Sequence, residues 1–305
     1  EIKDYVKKYD PQNQFNVLVN TYQQIEFAWK NIFSIDKINK SDISNIIISG
    51  LGGSAISADL IKNYLGNEIA IPIIVNRNYN LPKFASKNTL FIASSYSGNT
   101  EETVSALKQA IELSCKIVCI TTGGEVEAIA KSKKLNCVKV QPGFQPRYSL
   151  GLSFFSLLKV FQELNLIPDQ TKIIENVIGL WKQKGIDYSK EGNFAYTFAE
   201  SLISFIPVIY SVADSTSAVG YRFKCQLNEN SKLHAFHNEI PEITKLSAGS
   251  HTRKKYFIQK LSALLMKFII LKYKNDLKYL KIYFQKAELK RSLLKVMKNH
   301  LKLDC

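Results

Sequence analysis

The sequence of 305 residues predicts an α/β protein in which parallel sheets are flanked by helices. Short runs that are apolar throughout alternate with helical patterns, and such runs are typical of strands in sheets that are covered on both faces. Loops rich in glycine or in hydroxyl side chains follow two of the runs. Because ligands of parallel sheets bind at the carboxyl ends of the strands, these loops are the first candidates for a binding site.

The predicted elements follow one another in a regular order. Residues 1–40 read as helical, with Trp29 and Phe33 four positions apart on one face. The strands of a first sheet are predicted to end at Gly50 and to cover residues 71–75, 90–94, 116–121 and 137–140. Helices are predicted between them at residues 54–65, 103–113 and 126–131, followed by a connecting helix at 151–165. A second unit begins near Pro168, with helices at 172–182, 194–204 and 217–228 and a strand at 207–212.

The most informative stretch is residues 94–102, S-S-Y-S-G-N-T-E-E, which lies between an apolar run and a helical pattern. Free backbone N–H groups and the positive end of the helix dipole would face the same point as Ser95, Ser97 and Thr100. The stretch contains no lysine, so it is not a P-loop, whose motif ends in G-K-[ST]. It predicts a site that holds the phosphate of a small molecule without transferring it.

Two further segments bear on the same site. Residues 50–54, G-L-G-G-S, form either a tight strand-to-helix turn or part of a binding site. A dinucleotide site is not favoured, because Asn76 and Arg77 follow the second strand where an acidic residue would hold a ribose. Arg147, in Q-P-G-F-Q-P-R, is either a solvated loop residue or a bidentate partner for an anion.

The composition argues against several classes of protein. No run of about 18 apolar residues predicts a membrane span, and the first ten residues do not read as a signal peptide. The five cysteines show no C-x-x-C spacing, and the four histidines form no ligand cluster of familiar spacing. We therefore expect a reducing cytoplasm and neither a metal nor another cofactor.

Five motifs occur in a fixed order: G-L-G-G-S-A, S-Y-S-G-N-T-E-E-T, C-I-T-T-G-G, Q-P-R-Y-S-L-G and N-E-N-S-K. This ordered set resembles the bifunctional phosphoglucose/phosphomannose isomerase family, which consists of sugar isomerase (SIS) domain proteins, and the match runs from about residue 46 to residue 242. The resemblance implies two SIS domains, each with a five-stranded parallel sheet, and a homodimer with active sites near the dimer interface. The corresponding divisions are an N-terminal helical segment (1–40), a first SIS domain (41–166), the start of a second (167–242) and a basic tail (243–305).

The resemblance also implies a reaction, the reversible conversion of glucose 6-phosphate, and of mannose 6-phosphate, to fructose 6-phosphate. It assigns the phosphate to Ser95, Ser97 and Thr100, and the sugar site to Gly52, Gly53, Ser54 and Arg147. Glu229, in N-E-N-S-K, matches the glutamate that moves a proton between C1 and C2 through a cis-enediol, a role that suits a carboxylate. Arg147 would stabilise the enediolate charge.

The family pattern breaks after Glu242. In family members the corresponding Pro-Glu pair is followed by two residues and then by a motif like H-N-E-I-V-G-W, whose histidine opens the sugar ring. This chain continues I-T-K-L-S-A-G after Glu242, with Lys245 at the histidine position. The codons ATA ACG AAA TTG TCG GCT GGx encode the observed residues and, shifted by two bases, read N-E-I-V-G-W. The sequence therefore suggests a frameshift between Glu242 and Ile243. His237 is the candidate to stand in for the ring-opening histidine, its alternative being an ordinary loop residue.

The composition changes at the same place. Residues 251–305 carry 15 Lys and Arg against 3 Asp and Glu, with no glycine or proline, whereas residues 1–250 carry 26 against 23. An out-of-frame tail accounts for this change, and the alternative is a genuine basic amphipathic tail that touches nucleic acid or a membrane. The uneven charge argues against nucleic acid as a partner of the whole chain. The predicted partner is a phosphorylated hexose, and the rival hypothesis is an SIS module that binds sugar phosphates without catalysis.

Overall fold

The structure is a computed structural model that describes residues 2–66 and 68–239, together with the backbone of two short strands in the last 40 residues. It divides into two compact units, Glu1–Ala199 and Glu200–Cys305. Within the described residues, no helix combines the length and the apolar character needed to cross a bilayer.

A five-stranded parallel sheet forms the centre of the first unit. Its strands are β1 (Asn45–Ser49), β2 (Ile73–Asn76), β3 (Thr89–Ser95), β4 (Lys116–Thr121) and β5 (Asn136–Lys139). They lie in the order β2-β1-β3-β4-β5, and every neighbouring pair is parallel. Strand β2 lies on one side of β1, and the strands from β3 onward lie on the other side. The direction of the strand order therefore reverses between β1 and β3, which is a topological switch point.

Nine α-helices are described between residues 2 and 201. They are α1 (Ile2–Tyr9), α2 (Gln14–Val19), α3 (Thr21–Lys30), α4 (Gly52–Leu65), α5 (Glu101–Glu112), α6 (Gly124–Lys133), α7 (Leu150–Glu163), α8 (Thr171–Ser189) and α9 (Phe194–Ser201). Those that contribute to the two cores of the sheet are α3, α4, α7 and α8 on one face and α5 and α6 on the other. Successive residues of a strand point to opposite faces, and accordingly Ile46 and Ile48 belong to one buried core while Ile47 belongs to the other. The predicted parallel sheet flanked by helices is confirmed.

The interpretation of Trp29 and Phe33 as one helix face is wrong. Helix α3 ends at Lys30, and the next residue, Asn31, is extended at φ −60° and ψ 121°. The ammonium group of Lys159 donates hydrogen bonds to the carbonyl oxygens of Trp29 and, at 2.8 Å, of Asn31, and so satisfies acceptors that the helix end leaves open. Both aromatic rings still pack against the same core.

The second unit contains a smaller parallel pair. Strand β6 (Val208–Ser211) leads to helix α10 (Ser217–Asn230), which returns to β7 (Phe236–Glu239), and β7 pairs with β6 in parallel. The sequence analysis did not predict β7. Two short strands, β8 (Ile270–Lys272) and β9 (Lys281–Tyr283), pair with each other in antiparallel fashion.

Helix α8 was expected at the start of the second domain, but it lies in the first unit. There it approaches the end of α2 so closely that a Cβ on Gly185 would lie 2.1 Å from the carbonyl oxygen of Val19. The limits of the two SIS domains stay predictions. An out-of-frame tail would bury its apolar side chains poorly, and this expectation concerns residues 243–305, whose side chains lie outside the described residues.

Candidate functional site

The switch point of the first sheet brings two loops together. Residues 50–53, the glycine turn, follow β1, and residues 95–100, the hydroxyl loop, end β3 and lead into α5. A Cβ on Gly50 would lie 2.7 Å from the carbonyl oxygen of Ser94, so the two strand ends are in close contact. Helices α4 and α5 begin at these two strand ends on opposite faces of the sheet, and the positive ends of both dipoles lie at the crevice where an anion is favoured.

Hydrogen bonds within the hydroxyl loop fix its shape. The Ser95 side chain is buried, lies 3.0 Å from the hydroxyl of Thr100 and accepts a hydrogen bond from the Gly98 N–H at 3.1 Å. Ser97 is exposed at the tip of the loop, where its hydroxyl accepts from the Asn99 N–H at 3.2 Å. Thr100 is half-buried and stands at the N-cap of α5. The three predicted phosphate ligands therefore differ: the Ser95 hydroxyl is buried and shapes the loop, the Thr100 hydroxyl is half-buried beside it, and Ser97 is exposed.

The loop between β4 and α6 supports the hydroxyl loop from one side. Gly98 has a φ of +73°, and a Cβ there would lie 1.8 Å from the carbonyl oxygen of Gly123. The Gly98 carbonyl accepts from the Val126 N–H at 3.0 Å, and the Asn99 side chain accepts from the Glu125 N–H at 3.0 Å. Such a close backbone approach requires glycine at position 98.

Residues 141–149, the arginine loop, reach the glycine turn from the other side. Gly52 begins α4 with a φ of +52°, and a Cβ on Gly53 would lie 2.9 Å from the carbonyl oxygen of Pro146. Arg147 follows in a short 3₁₀ turn, Pro146–Tyr148, with its guanidinium carbon 5.4 Å from the centre of the Tyr148 ring. Ser54 is buried in the first turn of α4. The structure thus brings the segment that carries Arg147 to the start of α4, beside Gly52 and Gly53.

Glu229 lies in the second unit, on the last turn of α10, and its side chain is exposed. Burial lowers the pKa of the Arg222 guanidinium, and the nearby Glu229 carboxylate acts in the opposite direction. The preceding residue, Asn228, accepts a hydrogen bond from the Ala235 N–H at 3.0 Å, which ties the end of α10 to the approach to β7. The N-E-N-S-K segment is therefore a fixed helix end with a carboxylate available to solvent.

His237 lies on β7 and not in a loop. Its Nε2 atom is 2.6 Å from the hydroxyl of Ser211 on β6, and a Cβ on Gly220 would lie 2.8 Å from the same nitrogen. Burial lowers the pKa of the imidazole, and the Glu239 carboxylate partly offsets this effect. Sequence reasoning missed the contact with Ser211, because without β7 there was no strand register to bring the two residues together.

The acidic, histidine and cysteine side chains of the described residues bear on metal and thiol chemistry. No group of three or more His, Cys, Asp or Glu side chains there is arranged to hold a metal ion. Cys119 lies opposite Cys137 on neighbouring strands, and burial raises the pKa of the Cys119 thiol to about 12. Such a thiol stays protonated at neutral pH and is a poor nucleophile.

Two family models match the chain. The SIS domain model matches residues 38–158, which contain the whole five-stranded sheet. The model of the bacterial phospho-glucose isomerase C-terminal SIS domain matches residues 191–289. The second match continues beyond residue 242, where the sequence analysis placed a change of reading frame, and that hypothesis stays a prediction.

Curated relatives carry similar names. The chain is 38% identical over 236 residues to a bifunctional phosphoglucose/phosphomannose isomerase of Caldicellulosiruptor bescii, covering 75% of this chain and 69% of the relative. It is 35% identical over 235 residues to a protein of the same name from Aquifex aeolicus, covering 75% and 67%.

A solved structure supports the fold. The C-terminal domain of glucosamine-fructose-6-phosphate aminotransferase from Francisella tularensis superposes with a TM-score of 0.57 at 14% identity, covering 81% of this chain and 79% of that one. At that identity the likeness concerns architecture alone. The relatives, the two family models and the ordered motifs agree, and the chain belongs to the bifunctional phosphoglucose/phosphomannose isomerase family.

Proposed function

We propose that this chain catalyses the reversible isomerisation of glucose 6-phosphate and of mannose 6-phosphate to fructose 6-phosphate. The observation that carries the proposal is the hydroxyl loop at the switch point, in a chain that shares 38% identity with a phosphoglucose/phosphomannose isomerase. Two helix N-termini and the Ser97 and Thr100 hydroxyls suit the phosphate of such a substrate. Nothing in the relatives favours the rival hypothesis of a module that binds without catalysis.

The proposed reaction moves one proton between neighbouring carbons. In the open-chain aldose, Glu229 removes the C2 proton, and the electron pair forms the C1–C2 double bond of the enediolate while the negative charge moves to O1. The Glu229 carboxyl then returns its proton to C1, and a proton moves from O2 to O1, which leaves the carbonyl at C2. Glucose 6-phosphate and mannose 6-phosphate differ only in configuration at C2. Loss of the C2 proton therefore converts both into the same enediolate and then into one ketose, provided that the site binds the open chain in either configuration.

Two other residues have proposed roles in this scheme. Arg147 stabilises the enediolate, because a fixed guanidinium favours an oxygen on which negative charge develops. His237 assists ring opening by proton transfer at the ring oxygen and the C1 hydroxyl. Burial lowers the pKa of its imidazole, so a neutral ring that can accept a proton is available at neutral pH.

The proposed setting is a homodimer in the cytoplasm. The homodimer is expected from the family resemblance, and light scattering of the purified chain tests it. Among the described residues, four cysteines occur as free thiols, which suits a reducing compartment.

A coupled assay of product formation tests the proposal directly. The purified chain is given glucose 6-phosphate or mannose 6-phosphate, and fructose 6-phosphate is measured with a coupling enzyme. We expect product from both substrates and none from unphosphorylated glucose. Binding of the two sugar phosphates by calorimetry without product would favour the binding-only module, and absence of both binding and product would contradict the assignment.

A further inference from the structure

The arginine loop is held by a tyrosine that belongs to the hydroxyl loop. The Tyr96 hydroxyl donates to the carbonyl oxygen of Gln141 at 3.0 Å and accepts from the N–H of Phe144 at 2.9 Å. Burial raises the pKa of the phenol, so the group remains a donor at neutral pH. One side chain thus satisfies two backbone groups in the first half of the segment that carries Arg147.

The backbone of Tyr96 is itself fixed. Its carbonyl oxygen accepts from the Thr122 N–H at 3.1 Å and from the Thr122 hydroxyl at 2.7 Å. Its neighbours Ser95 and Ser97 belong to the predicted phosphate site. Tyr96 is therefore a rigid connection between the residues that would hold the phosphate and the loop that carries the cation.

A second anchor holds the other half of the arginine loop. Gln24, on α3, is only 2% exposed and donates from Nε2 to the carbonyl oxygen of Tyr148 at 2.8 Å. A Cβ on Gly151 would lie 3.0 Å from the Gln24 side chain, so α7 packs directly on this residue. A nearby residue of the N-terminal segment, Gln12, bonds to the Gln145 side chain. Residues of the N-terminal segment therefore hold the second half of the arginine loop through hydrogen bonds.

We propose that Tyr96 and Gln24 are positioning residues that hold Arg147 in place for the isomerase reaction. The inference rests on the proposed function, because it takes Arg147 to stabilise the enediolate. Neither side chain need touch the substrate. Each acts through the backbone of the arginine loop, and Tyr96 links its position to that of the phosphate site.

Limited digestion with trypsin tests how firmly the arginine loop is held and does not depend on isomerase activity, because trypsin cleaves after Arg147 only when the loop opens. When opening and closing are fast, the rate of nicking follows the population of the open loop. Tyr96→Phe removes two ordinary hydrogen bonds and keeps the ring, so nicking at Arg147 should accelerate about 25-fold. Gln24→Met removes one bond and should give about a five-fold increase.

Tyr64→Phe is the matched control. It removes the hydrogen bond from the Tyr64 hydroxyl to the Gln170 side chain, 2.8 Å long, at the far end of α4. This variant should leave nicking at Arg147 within two-fold of the parent. Nicking of Tyr96→Phe at the parental rate, or equal acceleration by Tyr64→Phe, would overturn the proposal.

Steady-state kinetics supply the second arm. Tyr96→Phe should lower kcat about ten-fold with KM within two-fold, since the lost interaction is with the transition state. In an Arg147→Lys background the same change should have little further effect, and an equal loss in both backgrounds would refute action through Arg147. If the parent chain makes no fructose 6-phosphate, the proposed function fails, while the trypsin comparison still decides whether the two residues position the loop.

Discussion

Replacing Gly98 by alanine should damage the hydroxyl loop more than any other single methyl group added to the sheet edge. The new Cβ would lie 1.8 Å from the carbonyl oxygen of Gly123 and 2.8 Å from the Thr121 hydroxyl. The clashing oxygen belongs to the backbone, which cannot rotate away as a flexible side chain can. The hydroxyl loop and the β4–α6 loop must therefore move apart by more than 1 Å to reach ordinary contact distances.

The cost has two parts. A non-glycine residue at φ +73° costs about 1–2 kcal/mol. Separation of the loops also breaks the hydrogen bond from the Val126 N–H to the Gly98 carbonyl and strains the one from the Gly98 N–H to Ser95, at about 1 kcal/mol each. The free energy of unfolding of the first unit should therefore fall by about 3–4 kcal/mol.

Urea unfolding followed by tryptophan fluorescence measures this loss, because both tryptophans, Trp29 and Trp181, lie in the first unit. With a slope of about 2 kcal/mol per molar, the midpoint should fall by about 1.5–2 M. The control is Gly192→Ala, where φ is +64° but no atom lies within 4 Å of the new Cβ. This variant has only the conformational cost of about 1–2 kcal/mol, so its midpoint should shift by about 0.5–1 M. Equal shifts for the two variants would refute the steric argument.

Four further predictions concern the site and the reading frame. Ser97→Ala should weaken binding of glucose 6-phosphate in calorimetry without loss of stability, and equal affinity of the parent for glucose and glucose 6-phosphate would contradict the phosphate assignment. In a chain with the frame restored after Glu242, Glu229→Gln should abolish exchange of the C2 proton with solvent. The affinity for the sugar phosphate should stay within a few-fold, because glutamine has the shape of glutamate without its basicity. Exchange at the parental rate would exclude Glu229 as the base. Burial lowers the pKa of His237 in the folded state, so the unfolded state takes up a proton first as the pH falls through about 6.5. The melting temperature of the parent should therefore fall below that pH, and the melting temperature of His237→Asn should fall by a smaller amount. Resequencing the gene across codons 238–250 should reveal a small deletion, and an intact frame would remove the hypothesis.

Most of the first unit could be predicted from the sequence, because its strands are buried on both faces and its loops need glycine. The run I-I-I-S-G marks β1 without ambiguity, and β4 was predicted at the residues it occupies, Lys116–Thr121. The hydroxyl loop was recognisable because a helix begins directly after a strand. Its internal hydrogen bonds were not predictable, since they depend on which hydroxyl is buried, and burial of Ser95 follows from the pairing of β3 with β4.

The second unit was less predictable because local sequence constrains it less. Strand β7 reads F-H-N-E, with one apolar residue in four, so neither alternation nor an apolar run identifies it. Its pairing with β6 determines it instead, through hydrogen bonds between distant residues. The contact between His237 and Ser211 follows from that register and could not be expected before it was known.

The same strand bears on the question of the reading frame. In the described residues the sheet of the second unit has only β6 and β7, whereas the sheet of the first unit has five strands. Phe236, on β7, is 57% exposed, although an aromatic side chain in a completed α/β sheet is normally covered by a helix. A strand that stays unpaired at the edge of such a sheet is a site for aggregation. We expect a chain with the N-E-I-V-G-W frame restored to bury Phe236 and to be more soluble than the chain with the present sequence. Equal solubility of the two chains, with the amide protons of β7 exchanging at the same rate in both, would show instead that residues 243–305 already complete the unit.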